Sequence, residues 1–205
     1  MPFRPEELDK PQGGASWLGI KQAGVVGVLD KSDAYDWADV YLSVELDIEG
    51  SDYTQDFRLA GSFEYEPDGS LKYSPLLKRI YSFCDVIGFK GGVNMKGQWV
   101  DENDEPIDDI AGYLSAKFAQ PVNNVKHNFY CFIYQKATKQ GAQKPFYTEV
   151  YPKFWPLTTK GKKEADSFVV FMRKGNKLNE YTESANNYPE VQTAIKGNSQ
   201  LSAGL

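Results

Sequence analysis

Along residues 39–49, DVYLSVELDIE, apolar and polar side chains alternate without a break. Val40, Leu42, Val44, Leu46 and Ile48 take one parity; Asp39, Tyr41, Ser43, Glu45, Asp47 and Glu49 take the other. A period of two predicts a strand with one buried face. Residues 15–28, ASWLGIKQAGVVGV, are rich in Val, Ile and Trp and dotted with Gly, the pattern of a strand that bends or bulges. Residues 55–66 continue in the same style through Phe57, Leu59, Phe63 and Tyr65, with Gly61 as a kink. Glu66-Pro67-Asp68-Gly69 then reads as a turn, because Pro67 presets φ and Gly69 accepts a positive φ.

The period changes at residues 75–87, PLLKRIYSFCDVI. Leu76, Leu77, Ile80, Tyr81, Cys84 and Ile87 fall on one helical stripe. Ser74 and Pro75 form an N-cap and first-turn pair, and Gly88 is the stop. An irregular acidic stretch follows at 97–109. Residues 113–119, 128–135 and 146–155 read as strands. Residues 1–14 read as a tail, 15–156 as the folded domain, and 157–205 as a basic C-terminal extension ending in a loose tail. Three antiparallel strands, a helix and a closing hairpin give a mainly β chain. Its expected form is an OB-like, partly open antiparallel barrel with one mid-domain helix and a C-terminal extension. A β-sandwich with one helix is the alternative.

Composition narrows the chemistry. The single histidine, His127, and the two cysteines, Cys84 and Cys131, offer neither a disulfide framework nor zinc-ligand spacing. Both thiols sit at expected core positions, which favours inert cysteines over a Cys–His nucleophile. There is no phosphate-binding glycine loop. Asp101–Asp109 packs six carboxylates into nine residues but lacks the glycine and spacing of a calcium loop. Glu64 and Glu66 read as solvent-facing strand residues rather than a glycosidase pair. No metal and no cofactor are expected. The N-terminal residues lack an apolar targeting segment, and no run reaches the roughly 18 apolar residues of a membrane span, so the expected setting is cytoplasmic, away from membranes.

Charge changes the picture. The net charge is −5, but residues 1–120 hold 11 Lys and Arg against 22 Asp and Glu, while residues 121–205 hold 12 against 6. A polyanion-facing side is one reading of this asymmetry; mixing of the charges in the folded molecule is the other. The positive half contains the hairpin. On its first strand Phe129, Cys131 and Ile133 alternate with Tyr130, Phe132 and Tyr134; on its second, Phe146, Thr148 and Val150 alternate with Tyr147, Glu149 and Tyr151. One face can join a core. The other would gather Tyr130, Phe132, Tyr134, Tyr147, Tyr151 and Trp155 as rings, with Lys136, Lys139, Lys144 and Lys153 around them. Lys160, Lys162 and Lys163 in TTKGKK, and Arg173, Lys174 and Lys177 in RKGNK, read as phosphate-reaching loops. Rings threaded with lysines suit single-stranded nucleic acid, since bases stack on rings and lysines neutralise phosphates. The competing reading buries both hairpin faces, the second under the C-terminal extension. Trp17, Trp37 and Trp99 read as core or loop packing.

The opening strand GASWLGIKQAGVVGV, the helix SPLLKRIYSFCDVIGF and the hairpin ending FYTEVYPKFWP resemble the OB-fold single-stranded-DNA-binding proteins encoded by bacteriophages. The resemblance covers residues 15–156. It implies a non-catalytic protein that coats single strands during DNA replication or recombination, in the host cytoplasm. Many such proteins end in an acidic, partner-recruiting tail, whereas this sequence ends QLSAGL; either the acidic loop 101–109 is the substitute site for replication proteins, or recruitment does not work that way here. The oligomeric state is left open, a homodimer included. The alternative function is a carbohydrate-binding or phage structural and assembly module, with the rings as a sugar platform or subunit interface. On the nucleic-acid reading, alanine at Tyr134 or Tyr151 is expected to weaken binding with little loss of fold.

Overall fold

The five alternating apolar residues of residues 40–48 are all within 1 % of complete burial in the computed structural model, which describes residues 18–119, 126–139 and 142–181. They form the inner face of β2 (Val40–Ile48). β2 lies between β1 (Gly19–Asp30) and β3 (Gln55–Gly61), and β1 pairs on its other side with β6 (Phe129–Ala137), which pairs with β7 (Phe146–Pro156). The result is one five-stranded antiparallel sheet in the order β3-β2-β1-β6-β7. A two-stranded hairpin, β4 (Gly92–Val93) and β5 (Trp99–Val100), stands apart from it. The expected tail 1–14, Trp17 and the tail beyond 181 lie outside the described residues.

The bulge expected in the glycine-dotted first strand falls between Val25 and Gly27. Gly24 beside it is required by space: a Cβ there would sit 1.8 Å from the carbonyl oxygen of Lys126. The close approach brings the segment before β6 against β1. Asp47 on the neighbouring strand holds that segment, accepting contacts from His127 Nε2 at 2.7 Å and Lys126 Nζ at 3.1 Å.

The predicted helix is α1 (Pro75–Ile87). Ser74 Oγ accepts the Leu77 N–H, Pro75 opens the first turn, and Gly88 ends the helix at φ 76°. These are the capping features read from the sequence. Its buried side is Leu76, Leu77, Ile80, Phe83, Cys84 and Ile87. Phe83 contacts Phe57 of β3, Phe129 of β6 and Phe154 of β7 at ring separations of 5.7, 5.8 and 5.0 Å. Phe57 and Phe154 also meet edge to face at 4.8 Å. No ladder joins β3 to β7, yet the sheet curls until its two edge strands touch through these rings, with α1 across the seam.

Two further helices correct the single-helix expectation. Residues 113–119 are not a strand; 113–118 belong to α2 (Ile110–Phe118) and Ala119 is its C-cap, while Asp109 caps the other end by accepting the Gly112 N–H at 2.9 Å. Its buried residues Ala111, Leu114 and Phe118 have helical spacing, and the strand reading began after the cap and first turn. The basic extension holds α3 (Thr159–Lys174), capped by Thr158, whose hydroxyl accepts the Gly161 N–H at 3.0 Å. TTKGKK and the start of RKGNK are thus its first and last turns rather than loops. Gly161, Ala165, Val169 and Met172 recur at helical spacing, but the first two are too small to read as an apolar stripe.

Truncating Phe83 to alanine removes the common partner of β3, α2, β6 and β7 and is expected to cost about 3–5 kcal/mol of stability. Denaturant unfolding measures it. A loss comparable to that of an exposed residue such as Val26 would show that the seam is held otherwise.

Candidate nucleic-acid interface

The sheet alternation sorts the expected ring platform into two faces as anticipated, but the second face is not open. Phe129, Cys131, Ile133, Val150 and Phe154 join the main core. Phe132, Tyr134 and Trp155 form a second buried cluster with Ala165 and Val169 of α3, and Tyr130, Tyr151 and Phe168 pack against it. Phe132, Tyr134 and Trp155 are 0, 5 and 3 % exposed. In this arrangement α3 occupies the surface on which bases were expected to stack. These three rings are therefore corrected from open stacking positions to core. Tyr130 and Tyr151 are half-buried, and Tyr147 alone of the six rings is exposed.

The lysines divide similarly. Lys136 donates to Glu149 at 3.0 Å, and the same carboxylate accepts from the Tyr134 hydroxyl at 2.7 Å. Burial, reinforced by the hydrogen bond to Glu149, pushes the Tyr134 hydroxyl well above its ordinary range. Burial would lower Lys136, but the bond and charge of Glu149 outweigh it, and its pKa is raised. Lys136 is committed within the fold. Lys162 pairs with Asp166 at 2.7 Å, and Lys160 approaches Glu164 at 3.8 Å. Lys139, Lys144 and Lys163 are exposed. Lys153 lies over the rings of Phe168 and Trp155 at 4.4 and 5.5 Å.

Where the platform is covered, the structure opens two clefts along β7. The smaller, about 340 Å³, lies at the seam between Gln55–Arg58 of β3 and Tyr147–Val150 of β7. The larger, about 880 Å³, lies between α1 and the junction of β7 with α3. Arg79 and Pro152 line both. β7 makes this possible by an irregular step: Cys131 pairs with Phe154 and Ile133 with Val150, so three residues, 151–153, stand opposite Phe132 alone. The step turns Tyr151 and Lys153 to the larger cleft, where Tyr73, Lys78 and Tyr81 face them. Tyr73 is 70 % exposed and Tyr147 48 %. Arg58, Lys78 and Arg79 are exposed and enter no ion pair among the described residues. Carboxylates are present too: Asp56 and Glu149 in the smaller cleft, Asp85 and Glu164 in the larger.

Tyr147, Tyr151, Lys153 and Trp155 are the expected residues that these clefts gather. Arg58, Tyr73, Lys78, Arg79 and Tyr81 are additions. Lys78 and Arg79 were legible as the polar side of the amphipathic helix; their nearness to β7 was not. Of the tryptophans read as core or loop packing, Trp37 is 57 % exposed and lies against Tyr35 and Tyr41 in the β1–β2 turn, whereas Trp99 is buried in the core. The two thiols are buried, and burial drives both upward, Cys131 to about 12. Among the described residues no group of three or more His, Cys, Asp or Glu is placed to hold a metal ion, and no helix is long and apolar enough to cross a membrane.

Comparison of the chain with protein-family models, curated proteins and solved structures finds no match.

The burial of Tyr134 reverses the expectation for its alanine variant. Tyr134→Ala opens a cavity under α3 and deprives Glu149 of a donor, and is expected to cost about 3 kcal/mol. Tyr134→Phe keeps the packing and is expected to cost about 1 kcal/mol. Thermal unfolding of the two variants checks both; equal midpoints for parent and Tyr134→Ala would contradict the packing role.

Proposed function

We propose that the chain is a non-catalytic, sequence-tolerant single-stranded-DNA-binding protein, built on an OB-type partly open barrel, with the strand lying in the two clefts along β7. The sheet order β3-β2-β1-β6-β7, with α1 inserted between β3 and β6 in the chain, supports the barrel assignment. One observation carries the functional reading: exposed Arg58, Lys78 and Arg79, unpaired among the described residues, stand beside the exposed rings of Tyr73 and Tyr147 in clefts that share Arg79. Rings of this kind accept bases without reading their edges, at about 1–3 kcal/mol per stacked base. Unpaired cations gain more from a phosphate than paired ones, because no internal ion pair must be given up. Lys153, its position set by Phe168, adds a further charge. Lys139 and Lys144, on the connection between β6 and β7, lie in one of the loops through which such barrels contact oligonucleotides. If the resemblance to phage-encoded proteins holds, this binding serves DNA replication or recombination, with the acidic loop 101–109 as the surface for replication proteins.

The alternative, an assembly or carbohydrate-binding module, draws on the burial of Phe132, Tyr134 and Trp155, which gives those rings a packing role. Salt separates the two classes. A labelled oligo-dT titrated at low and high salt is expected to bind tightly at low salt and to weaken steeply as salt rises. Arg79→Ala is expected to reduce the slope of log K against log salt by about 0.7, the value for one phosphate contact on a single strand. Tyr73→Ala and Tyr147→Ala are each expected to lose about 1–3 kcal/mol of affinity. Absence of binding at low salt would overturn the function. Salt-dependent binding untouched by all three substitutions would overturn the site and leave the function standing.

A further inference from the structure

Two exposed apolar patches with opposite electrostatic surroundings lie on separate parts of the molecule. The first is the turn between β1 and β2. Tyr35 and Tyr41 stack at 4.5 Å, and Trp37 approaches each at 6.0 Å. The turn is held in place: the Lys31 N–H donates to the Tyr41 carbonyl, the Ala38 N–H to the Tyr35 carbonyl, and the Tyr41 N–H to Ser32 Oγ. Leu29 pairs with Ser43, so it shares the outward face with Tyr41. Trp37 and Leu29 are each 57 % exposed. Within the turn itself the chain carries Asp30, Asp33 and Asp36 against Lys31; Arg58, paired with Ser43, lies on the same outward face. An exposed tryptophan in a hydrogen-bonded turn is not a side chain left over from the core.

The second patch is the solvent side of α3. Val170 and Phe171 are 65 and 57 % exposed. Lys163 precedes them by two turns and Lys174 follows by one, on the same side of the helix. Lys177 lies over the Phe171 ring at 4.0 Å. Lys163, Lys174 and Lys177 make no ion pair among the described residues. α3 packs on β6 and β7, whereas the turn joins β1 and β2, so the two patches share no element.

We propose that these patches are the two halves of one self-association surface: the basic stripe of α3 on one copy docks on the acidic aromatic turn of the next. Burial of Trp37, Leu29, Val170 and Phe171 supplies the drive, and the opposite charges select the pairing and its orientation. Because the two halves differ, the contact is heterologous and repeats head to tail rather than closing as a two-fold dimer of one patch. Nucleic acid is not needed for it, so it stands apart from the DNA-binding reading.

Sedimentation of the full chain without nucleic acid, over a concentration series at low and high salt, tests the pairing. The expected result is a mass that rises with concentration at low salt and falls back as salt is added. The double variants Lys163→Glu/Lys174→Glu and Asp33→Lys/Asp36→Lys are each expected to weaken association on the order of tenfold or more. An equal mixture of the two is expected to recover it, since each then offers the charge that the other needs. Phe171→Ser, which changes no charge, is expected to weaken association as well and serves if a charge-reversed variant fails to fold. A parent that stays monomeric throughout overturns the proposal. So do reversed variants that associate like the parent, and a mixture that does not recover.

Discussion

The contact between Phe57 and Phe154, with Phe83 set against both, decides the shape of this molecule. A five-stranded twisted sheet has two edges and an inner face too wide for one helix to cover while flat. Here the edges are drawn together by side chains rather than by a sixth ladder. α1 seals the seam from one side, and the core becomes the space inside the curl. The smaller cleft, between β3 and β7, exists because that seam is bridged by rings and not by backbone. A hydrogen-bonded closure would place the two strands about 4.8 Å apart and leave no room between them.

What could be read from the sequence followed the strength of the local signal. β2 was legible because its inner face is uniformly aliphatic and its outer face uniformly polar. α1 was legible because Ser74, Pro75 and Gly88 mark its ends and its stripe is continuous. α2 was hidden by a short frame: YLSAKFA alternates well enough on its own, and only Asp109 and Ile110 upstream reveal the cap and the first turn. α3 was hidden by its small interface residues. Gly161 and Ala165 let the helix lie close to the aromatic strand face, yet neither registers as hydrophobic in a pattern dominated by lysine.

The same cause limited the site. Alternation on the hairpin sorted the rings onto their two faces, and the division between the two buried clusters follows it. Whether a face is covered depends on a distant segment, and nothing local to residues 128–155 encodes that. Pairing of Lys136 with Glu149 across strands was likewise a matter of register, which the three-for-one step in β7 shifts. Arg58 and Arg79 come from elements read only for their buried sides. Their meeting at the seam is a tertiary fact.

That step in β7 has a bearing on how the chain behaves in a crowded solution. β7 is a free edge of the sheet, and a long regular edge invites the strand of a neighbour. Residues 151–153 break the repeat, Pro152 among them can donate no backbone hydrogen bond, and Pro145 and Pro156 stand near either end. β3, the opposite edge, is only seven residues long. The fold thus leaves a cleft at the seam between its two edges while making both edges poor templates for a neighbour's strand.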